Sequence, residues 1–371
     1  SFVGPVTIFA LMEAIGVVCE VCDWRYFALD DETVPDVDCS IACPHCGSPR
    51  MVPLDQDTVD HVYSAPPEMV VPFGVSEAKL AQQIATFASG IPYAPPDLTA
   101  TALRHRLQRL YLPMWLVDVD VSTQWGAEVG FDYEVVSHQE RYADGVGWRT
   151  AEVRETRVRW EPRIGTLERH YDNTAAPALE TQAALQRVLG SFDLARAEPY
   201  RPESLGRVLV RMPDRSPEAA WPDAVAALQD RAAQECQVAA EADYIRSYRW
   251  SPAYANPAWT LLLLQVLAAA YLDDDGAPRR VLIHGQTGQV YGVRRGSMKR
   301  AQRVSLITGL IALAIFAVGL VLALLSILFP PLLVVGIAAA LAAIPIGIGA
   351  VFPVARVWSY NRKQADVRLE V

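Results

Sequence analysis

Residues 304–354 read VSLITGLIALAIFAVGLVLALLSILFPPLLVVGIAAALAAIPIGIGAVFPV, and this stretch contains no charged side chain. A helix that crosses the hydrocarbon core of a bilayer needs about 20 apolar residues. Residues 304–328 and 332–352 each reach that length, and Pro330 and Pro331 separate them. Because proline ends or bends a helix, the stretch predicts two antiparallel transmembrane helices with almost no loop between them. A buried hairpin in a soluble core is the alternative.

Basic residues flank the predicted hairpin on both sides. Two crossings return the chain to the side on which it started, so both clusters face the same compartment. Lys and Arg near membrane ends favour the cytoplasmic side. We therefore expect a protein of the inner (plasma) membrane with most of its chain in the cytoplasm. The clusters are Arg294, Arg295, Lys299, Arg300 and Arg303 before the hairpin, and Arg356, Arg362, Lys363 and Arg368 after it.

Small residues recur along both predicted helices, where they would allow close approach of the two backbones. Ordinary membrane-helix composition explains them equally well. They are Gly309, Ala312, Gly319 and Ala323 on the first helix, and Gly336, Ala339, Ala343 and Gly347 on the second.

Two CxxC pairs near the start of the chain form the most specific motif. Cys19 and Cys22 make the first pair, and Cys43 and Cys46 the second. Two residues between cysteines let both thiolates of one knuckle reach a single ion, and two knuckles complete a tetrahedron. The spacing predicts a structural, four-cysteine Zn²⁺ site in a zinc ribbon, with an iron–sulfur centre or paired disulfides as alternatives. Four sulfur ligands leave no position for a substrate water, so catalytic zinc is not expected.

The remaining candidate residues have simpler interpretations. We expect Cys39 and His45 to lie beside the site without binding the ion, exchange of Cys39 into the ligand set being the alternative. Cys236 is expected to be a packing residue. Asp273–Asp275 precede a glycine, which indicates a hairpin tip rather than a metal site, and His284 beside Gly285 indicates another turn.

Charge excludes some classes of partner. Residues 1–293 hold 24 basic and 40 acidic residues, and the ribbon itself is mostly acidic. Such a surface repels nucleic-acid phosphates, so we expect no nucleic-acid partner. The chain also lacks a Walker loop, HExxH, GxSxG and a GxGxxG after a strand. We therefore expect neither an enzyme nor a small-molecule substrate.

The predicted organisation is α+β. It comprises an N-terminal segment and zinc ribbon (1–54), a linker (55–68), a cytoplasmic body with antiparallel sheets (69–303), the hairpin (304–354) and a cytoplasmic tail (355–371). Residues 1–18 predict either a first strand on the ribbon or a disordered lead. Within the body, periodicity predicts a helix that opens at Ser76 and is stopped by the prolines from Pro92, and further helices at 98–110, 177–190 and 217–242. It predicts strands at 111–121, 131–136, 148–160, 207–212, 259–272, 279–284 and 289–293. A helix followed by Leu-Pro-Met-Trp115 recurs as a helix followed by Asn-Pro-Ala-Trp259, which suggests two related halves.

The order of these parts resembles a bacterial family of membrane-anchored zinc-ribbon proteins, labelled TFIIB-type or mislabelled primosomal helicase-like. The matching residues are the four ribbon cysteines with Gly47, residues 71–76 (VPFGVS), 110–115 (LYLPMW) and 284–288 (HGQTG). That family has asparagine where this chain has His284. The resemblance implies a recruiting role, without an established activity, beside SPFH (flotillin-like) or phage-shock-protein-A-type membrane-stress scaffolds.

These observations together predict a membrane-tethered cytoplasmic adaptor that recruits a protein partner through its zinc ribbon. An accessory subunit of a larger membrane complex is one alternative. A membrane-bound nucleic-acid-linked regulator is another, although it requires a basic face that the charge count does not provide.

Overall fold

The computed structural model describes residues 15–29, 42–55, 67–145, 147–201 and 208–364. It shows a mixed α+β protein with an extended sheet and apolar helices near the C-terminus. The chain divides into two compact units. The first contains Ser1–Pro113, Thr181–Met212 and Leu263–Val371, and the second contains Met114–Glu180 and Pro213–Leu262.

The strands within these residues are β1 (Ile15–Cys19), β2 (Arg25–Leu29), β3 (Met51–Pro53), β4 (Met69–Val70), β5 (Gln108–Ala143), β6 (Gly147–Pro177), β7 (Glu198–Pro199), β8 (Val208–Arg211), β9 (Tyr244–Leu272), β10 (Pro278–His284) and β11 (Val290–Gly292). The helices are α1 (Glu77–Ala88), α2 (Ala100–His105), α3 (Gln182–Leu189), α4 (Pro217–Ala239), α5 (Met298–Leu325), α6 (Leu332–Gly349) and α7 (Phe352–Gln364), with a 3-10 turn at Leu194–Arg196.

The sheet of the first unit places the N-terminal strands beside strands from much later in the chain. Its order is β11-β10-β9-β5-β8-β2-β1-β3. Strand β2 pairs antiparallel with both β1 and β8, and β8 pairs parallel with the start of β5. Helices α1 and α2 cover part of this sheet, where Ile84, Phe87 and Leu103 pack among Tyr271 and Val281. The cysteine-bearing segment is thus anchored to the sheet through β1 and β2.

The second unit contains the long antiparallel hairpin β5–β6 from Met114 onward, helix α4 packed on it, and the first part of β9. The strands pair from Met114 opposite Pro177 to Ala143 opposite Gly147. The face predicted from the alternation of Trp115, Val117, Val119 and Val121 is buried. Helix α4 packs against this face with buried residues one turn apart, three of which are alanines; they are Ala220, Ala224, Leu228 and Ala232.

Helices α5 and α6 pack closely against each other through the small residues noted in the sequence. A Cβ added to Gly319 would lie 2.7 Å from the Gly336 carbonyl oxygen and 2.7 Å from the Ala340 nitrogen. Ala312 and Ala343 are buried, and the Ser305 hydroxyl donates to the Ala350 carbonyl. The two prolines lie in the short link between the helices, as predicted. From Leu306 onward, most of the remaining surface of the two helices is apolar and exposed.

Several predicted elements differ in extent from the structure. The strands expected at 131–136 and 148–160 are parts of the longer strands β5 and β6, and helix α7 occupies the tail expected at 355–371 as far as Gln364. The helix expected at 98–110 ends at His105, and strand β5 begins at Gln108, because Leu110 and Tyr111 pair with β8. The helix expected at 177–190 covers only Gln182–Leu189. Strand β9 begins at Tyr244 rather than near Trp259, and positive φ angles at Ser247 and Asn256 interrupt its regular geometry.

Three sequence predictions fall wholly or partly outside the described residues. Of residues 1–18, the structure describes the strand from Ile15 onward, which pairs with β2 and β3 of the ribbon. Most of the predicted linker at 55–68 lies outside the described residues, and so does Cys39.

Candidate metal centre

Two tight turns present the four cysteines. In the first, the Cys19 N–H donates to the Trp24 carbonyl at 3.0 Å and the Asp23 N–H donates to the Cys19 carbonyl at 2.9 Å. In the second, the Gly47 N–H donates to the Cys43 carbonyl at 2.8 Å. Gly47 has φ of +70°, a left-handed conformation that favours glycine. The CxxC spacing therefore folds into two similar knuckles.

The four sulfur atoms form one cluster, in which all lie within 4.8 Å of one another. Cys19 Sγ is 3.5 Å from Cys46 Sγ, and Cys22 Sγ is 3.6 Å from Cys43 Sγ. A disulfide requires about 2.05 Å, and all four residues are free thiols. A tetrahedral ion with metal–sulfur bonds of about 2.3 Å would place the sulfurs roughly 3.8 Å apart. The cluster is therefore compatible with a bound metal ion.

Burial and backbone N–H groups act in opposite directions on the pKa values of the thiols, and burial dominates at Cys22 and Cys46. Burial raises the pKa of Cys19, but hydrogen bonds from the Val21 and Cys22 N–H groups outweigh it and leave the pKa below its usual value. The Ser48 N–H donates to Cys46, although burial still raises that pKa to about 11. A bound cation would offset the cost of burying negative sulfurs. The four cysteines are therefore better suited to holding a metal ion as thiolates than to remaining as four neutral thiols.

Aromatic and cationic side chains form a layer around the cluster. The Tyr26 hydroxyl lies 3.5 Å from Cys43 Sγ. The Trp24 ring stacks on His45 with 4.0 Å between ring centroids. The guanidinium groups of Arg211 and Arg280 lie over the same ring, at 4.6 and 5.1 Å from its centroid. We call Tyr26, Trp24, His45, Arg211 and Arg280 the outer layer of the site.

The sequence did not indicate most of this outer layer. Arg211 and Arg280 belong to strands β8 and β10, far along the chain from the cysteines. Only the pairing of β2 with β8 and the packing of the second knuckle bring them near. A Cβ added to Gly47 would lie 3.3 Å from Ala270 Cβ and 3.6 Å from Pro278 Cβ, so the knuckle sits directly on β9 and the start of β10.

A small cavity adjoins the cluster. Its volume is about 270 Å³, and its lining is formed by His45, Cys46, Pro278, Arg279, Arg280, Leu282 and Val293. Of the four cysteines, only Cys46 lines this cavity, together with Arg280 of the outer layer. The cavity does not extend between the four sulfur atoms, which stay within 4.8 Å of one another. The arrangement therefore resembles a closed structural centre more than an open catalytic one.

The other cysteine, aspartate and histidine candidates have the structural roles that the sequence predicted. Cys236 is buried, 3.9 Å from the Tyr248 hydroxyl. Asp273 accepts hydrogen bonds from the Asp275 and Ala277 N–H groups at the hairpin tip. The ring of His284 is buried and pins a turn through hydrogen bonds described below.

The arginines of strand β6 also have a simple structural explanation. They form ion pairs with nearby acids along the exposed face of the strand, as for Arg154 with Glu152 and Arg157 with Glu155, both at 3.0 Å. Arg163 and Arg159 both pair with Glu161. This face is a solvated sheet surface with balanced charge rather than a phosphate-binding patch.

Comparison of the chain with protein-family models, with curated proteins and with solved structures gave no match.

Proposed function

We propose that the protein is a membrane-tethered cytoplasmic adaptor, anchored in the inner (plasma) membrane by helices α5 and α6, that recruits a protein partner through a zinc ribbon. The observation that carries the proposal is the combination, in one compact unit, of a closed four-sulfur cluster and two exposed apolar helices. The first part supplies a rigid docking element and the second supplies an anchor.

Zinc is the ion that this ligand set favours. Four cysteine sulfurs at tetrahedral spacing select Zn²⁺ or iron over harder cations, and Zn²⁺ is the usual ion of paired CxxC knuckles. When bound, the ion would cross-link the two knuckles and so contribute directly to the folding of a segment that is too small to have its own core. Cys19, Cys22, Cys43 and Cys46 would hold it.

The anchor is supported by the length and exposure of the helices. Two helical spans, Met298–Leu325 and Leu332–Gln364, are long and apolar enough to cross a membrane. Only 11% of the residues in the most apolar window of each span are buried. A hairpin in a soluble core would be mostly buried, so exposure favours a lipid surface. The cytoplasmic placement of the remainder rests on the basic residues beside both ends.

The ribbon is the part of the protein proposed to contact the partner. The tip of the first knuckle exposes Glu20, Val21 and Asp23, an acidic surface with one apolar side chain. Such a surface suits a protein with a basic or mixed face and is unsuited to phosphate. The resemblance described above points to SPFH- or phage-shock-protein-A-type scaffolds as the class of partner.

The test uses the full-length protein in membranes. The double variant Cys43→Ser, Cys46→Ser should lose zinc and lose its partner while remaining in the membrane fraction. Cys236→Ser is the matched control, because it removes a buried thiol outside the cluster. Zinc content is measured by elemental analysis, and partners are identified by mass spectrometry after purification in gentle detergent. A partner that stays bound after zinc loss would show that the ribbon is not the docking element.

The orientation has its own test. An additional cysteine at an exposed position of the second unit, such as Ser251→Cys, should add labelling by an impermeant maleimide over the parent protein in broken cells and should add none in intact spheroplasts. Labelling from outside intact spheroplasts would contradict the cytoplasmic placement.

A further inference from the structure

We propose that Arg280, together with Arg211, supplies the counter-charge of the metal centre and is a positioning residue that sets its affinity for a divalent cation. This inference rests on the zinc site proposed above and extends it to a strand of the body that carries no ligand.

The guanidinium of Arg280 is buried without hydrogen-bond partners for two of its nitrogens. Nε and Nη2 have no partner in the part of the chain that the structure describes. A buried charge without a partner is costly, so this arginine needs a nearby negative charge. The Trp24 ring, 5.1 Å from the guanidinium carbon, contributes a cation–π contact but no full charge.

The candidate negative charge is the sulfur cluster. Burial lowers the pKa of Arg280 to about 10, whereas the electrostatic influence of Tyr26, Cys43 and Cys22 raises it. The arginine also shares with Cys46 and His45 the small cavity described above. Four neutral thiols would offer little compensation. Four thiolates around a divalent cation carry a net charge of −2, which a buried guanidinium can stabilise.

Arg211 provides a second positive charge at the same site. It is buried, lies over the Trp24 ring at 4.6 Å, and its Nη1 donates to the Arg25 carbonyl at 2.8 Å. Two guanidinium groups therefore match the two negative charges of a loaded tetrathiolate centre. In the metal-free state, with protonated thiols, the Arg280 guanidinium has no compensating negative charge among the described residues. Metal binding therefore lowers the electrostatic cost of burying this arginine.

The neighbouring Arg279 provides a matched control. It precedes Arg280 on strand β10 and also lines the cavity, but its guanidinium already has a negative partner, the Asp273 carboxylate at 2.5 Å. Replacing either arginine perturbs the same strand. Only replacement of Arg280 should change the affinity of the site for the metal ion.

The experiment measures metal affinity in the detergent-solubilised full-length protein, after removal of metal under reducing conditions. Co²⁺ is titrated and followed by its thiolate charge-transfer absorption, and Zn²⁺ affinity is obtained by competition. Loss of an outer-layer partner typically weakens metal binding by about 10–100-fold, and we expect that loss for Arg280→Met. Arg280→Lys should retain most of the affinity because it keeps the charge, and Arg279→Met should bind as wild type does.

A second readout separates electrostatics from folding. The increase in thermal midpoint on Zn²⁺ binding should be smaller in Arg280→Met than in wild type. If Arg280→Met aggregates, Arg280→Gln is used in its place. Wild-type affinity in the neutral variants, or an equal loss in Arg279→Met, would overturn the inference while leaving the zinc site intact. A wild-type protein that binds neither ion would overturn the zinc site as well.

Discussion

Asn361 and Gly296 exchange two hydrogen bonds: the Gly296 N–H donates to Asn361 Oδ1 at 2.8 Å, and Asn361 Nδ2 donates to the Gly296 carbonyl at 3.0 Å. Asn361 lies on helix α7, and Gly296 immediately precedes the cap of helix α5. Gly296 has room only for a hydrogen, because a Cβ there would lie 3.3 Å from Val357 Cγ1 and closer still to the Pro92 carbonyl. These contacts therefore join helix α7 to the segment that leads into helix α5, close to Pro92.

Replacing Asn361 should loosen this connection. Asn361→Leu removes both hydrogen bonds and leaves the Gly296 amide and carbonyl without their partner, so we expect a loss of about 1–3 kcal/mol in stability. Asn361→Asp keeps the hydrogen-bond acceptor and loses the donor, so its stability should lie between those of the wild type and Asn361→Leu. Thermal unfolding in detergent measures the series. A leucine variant as stable as wild type would show that the two bonds do not stabilise this connection.

Asp274 should matter more than its neighbour Asp275. The Asp274 carboxylate accepts from the Ser297 hydroxyl at 2.5 Å and from the Lys299 N–H at 2.9 Å, and so caps the first turn of helix α5. Asp275 is exposed and uses its backbone N–H within the hairpin tip. Asp274→Ala should cost about 1 kcal/mol, as capping residues do, and Asp275→Ala should cost little. Equal effects in thermal unfolding would contradict this assignment.

The close contact between helices α5 and α6 should tolerate no side chain at Gly319. Gly319→Leu would force the helices apart, because a Cβ there already meets the backbone of the facing helix, and overpacking costs about 1–3 kcal/mol. Gly349→Leu is the control, since nothing lies within 4 Å of a Cβ at that glycine.

Cross-linking measures this helix contact directly. The Ala312 Cβ lies 3.8 Å from a Cβ built on Gly347, the separation that a disulfide spans. Ala312→Cys with Gly347→Cys should therefore cross-link on oxidation of the membrane-embedded protein. Adding Gly319→Leu should lower the yield, whereas adding Gly349→Leu should leave it unchanged. A yield that falls equally with both leucines would argue against tight packing at Gly319.

His284 should make the protein less stable below neutral pH. Its Nδ1 accepts from the Gln286 and Thr287 N–H groups at 3.1 and 3.3 Å, its Nε2 lies 3.3 Å from the Ser191 carbonyl, and its ring stacks on Phe192. Burial lowers the pKa of this histidine in the folded protein. The unfolded chain, with a pKa near 6.5, therefore takes up the proton first as the pH falls.

The stabilisation from neutral His284 is present above about pH 6.5 and declines as the pH falls toward the lower folded pKa. His284→Asn, the residue of the resembled family, should remove this part of the pH dependence. Thermal midpoints of both proteins between about pH 5 and pH 8 provide the test, and other titrating groups cancel in the difference. Parallel curves for the two proteins would contradict the assignment.

Local patterns predicted the parts of the structure that local forces determine. The CxxC spacing predicted four cysteines at one point, because each knuckle is closed by hydrogen bonds within a few residues. The alternation through Trp115 predicted a buried face, and the apolar runs predicted two helices. The helix expected to continue to Leu110 stops early because pairing with Leu209 and Val210, almost a hundred residues later, favours a strand. Propensity yields to such tertiary pairing.

The outer layer of the candidate metal site was not predictable for the same reason. Arg211 and Arg280 reach the cysteines only through the strand order of the sheet, and nothing in their local sequence distinguishes them from the surface arginines of β6. A sequence motif identifies the ligands of a site more readily than the groups that balance its charge. The latter become visible only when the pairing of β2 with β8 is known.

The pairing of β2 with β8 also bears on how the chain is made. A ribosome releases the two knuckles early, yet their neighbouring strand, residues 208–211, and their seat at Ala270 and Pro278 emerge much later. During that interval the nascent chain exposes four reactive thiols, because strands β8 and β10, which pack beside the knuckles, have not yet been synthesised. Early capture of an ion would shield them from oxidation, so metal supply during translation should influence how much correctly assembled protein a cell obtains.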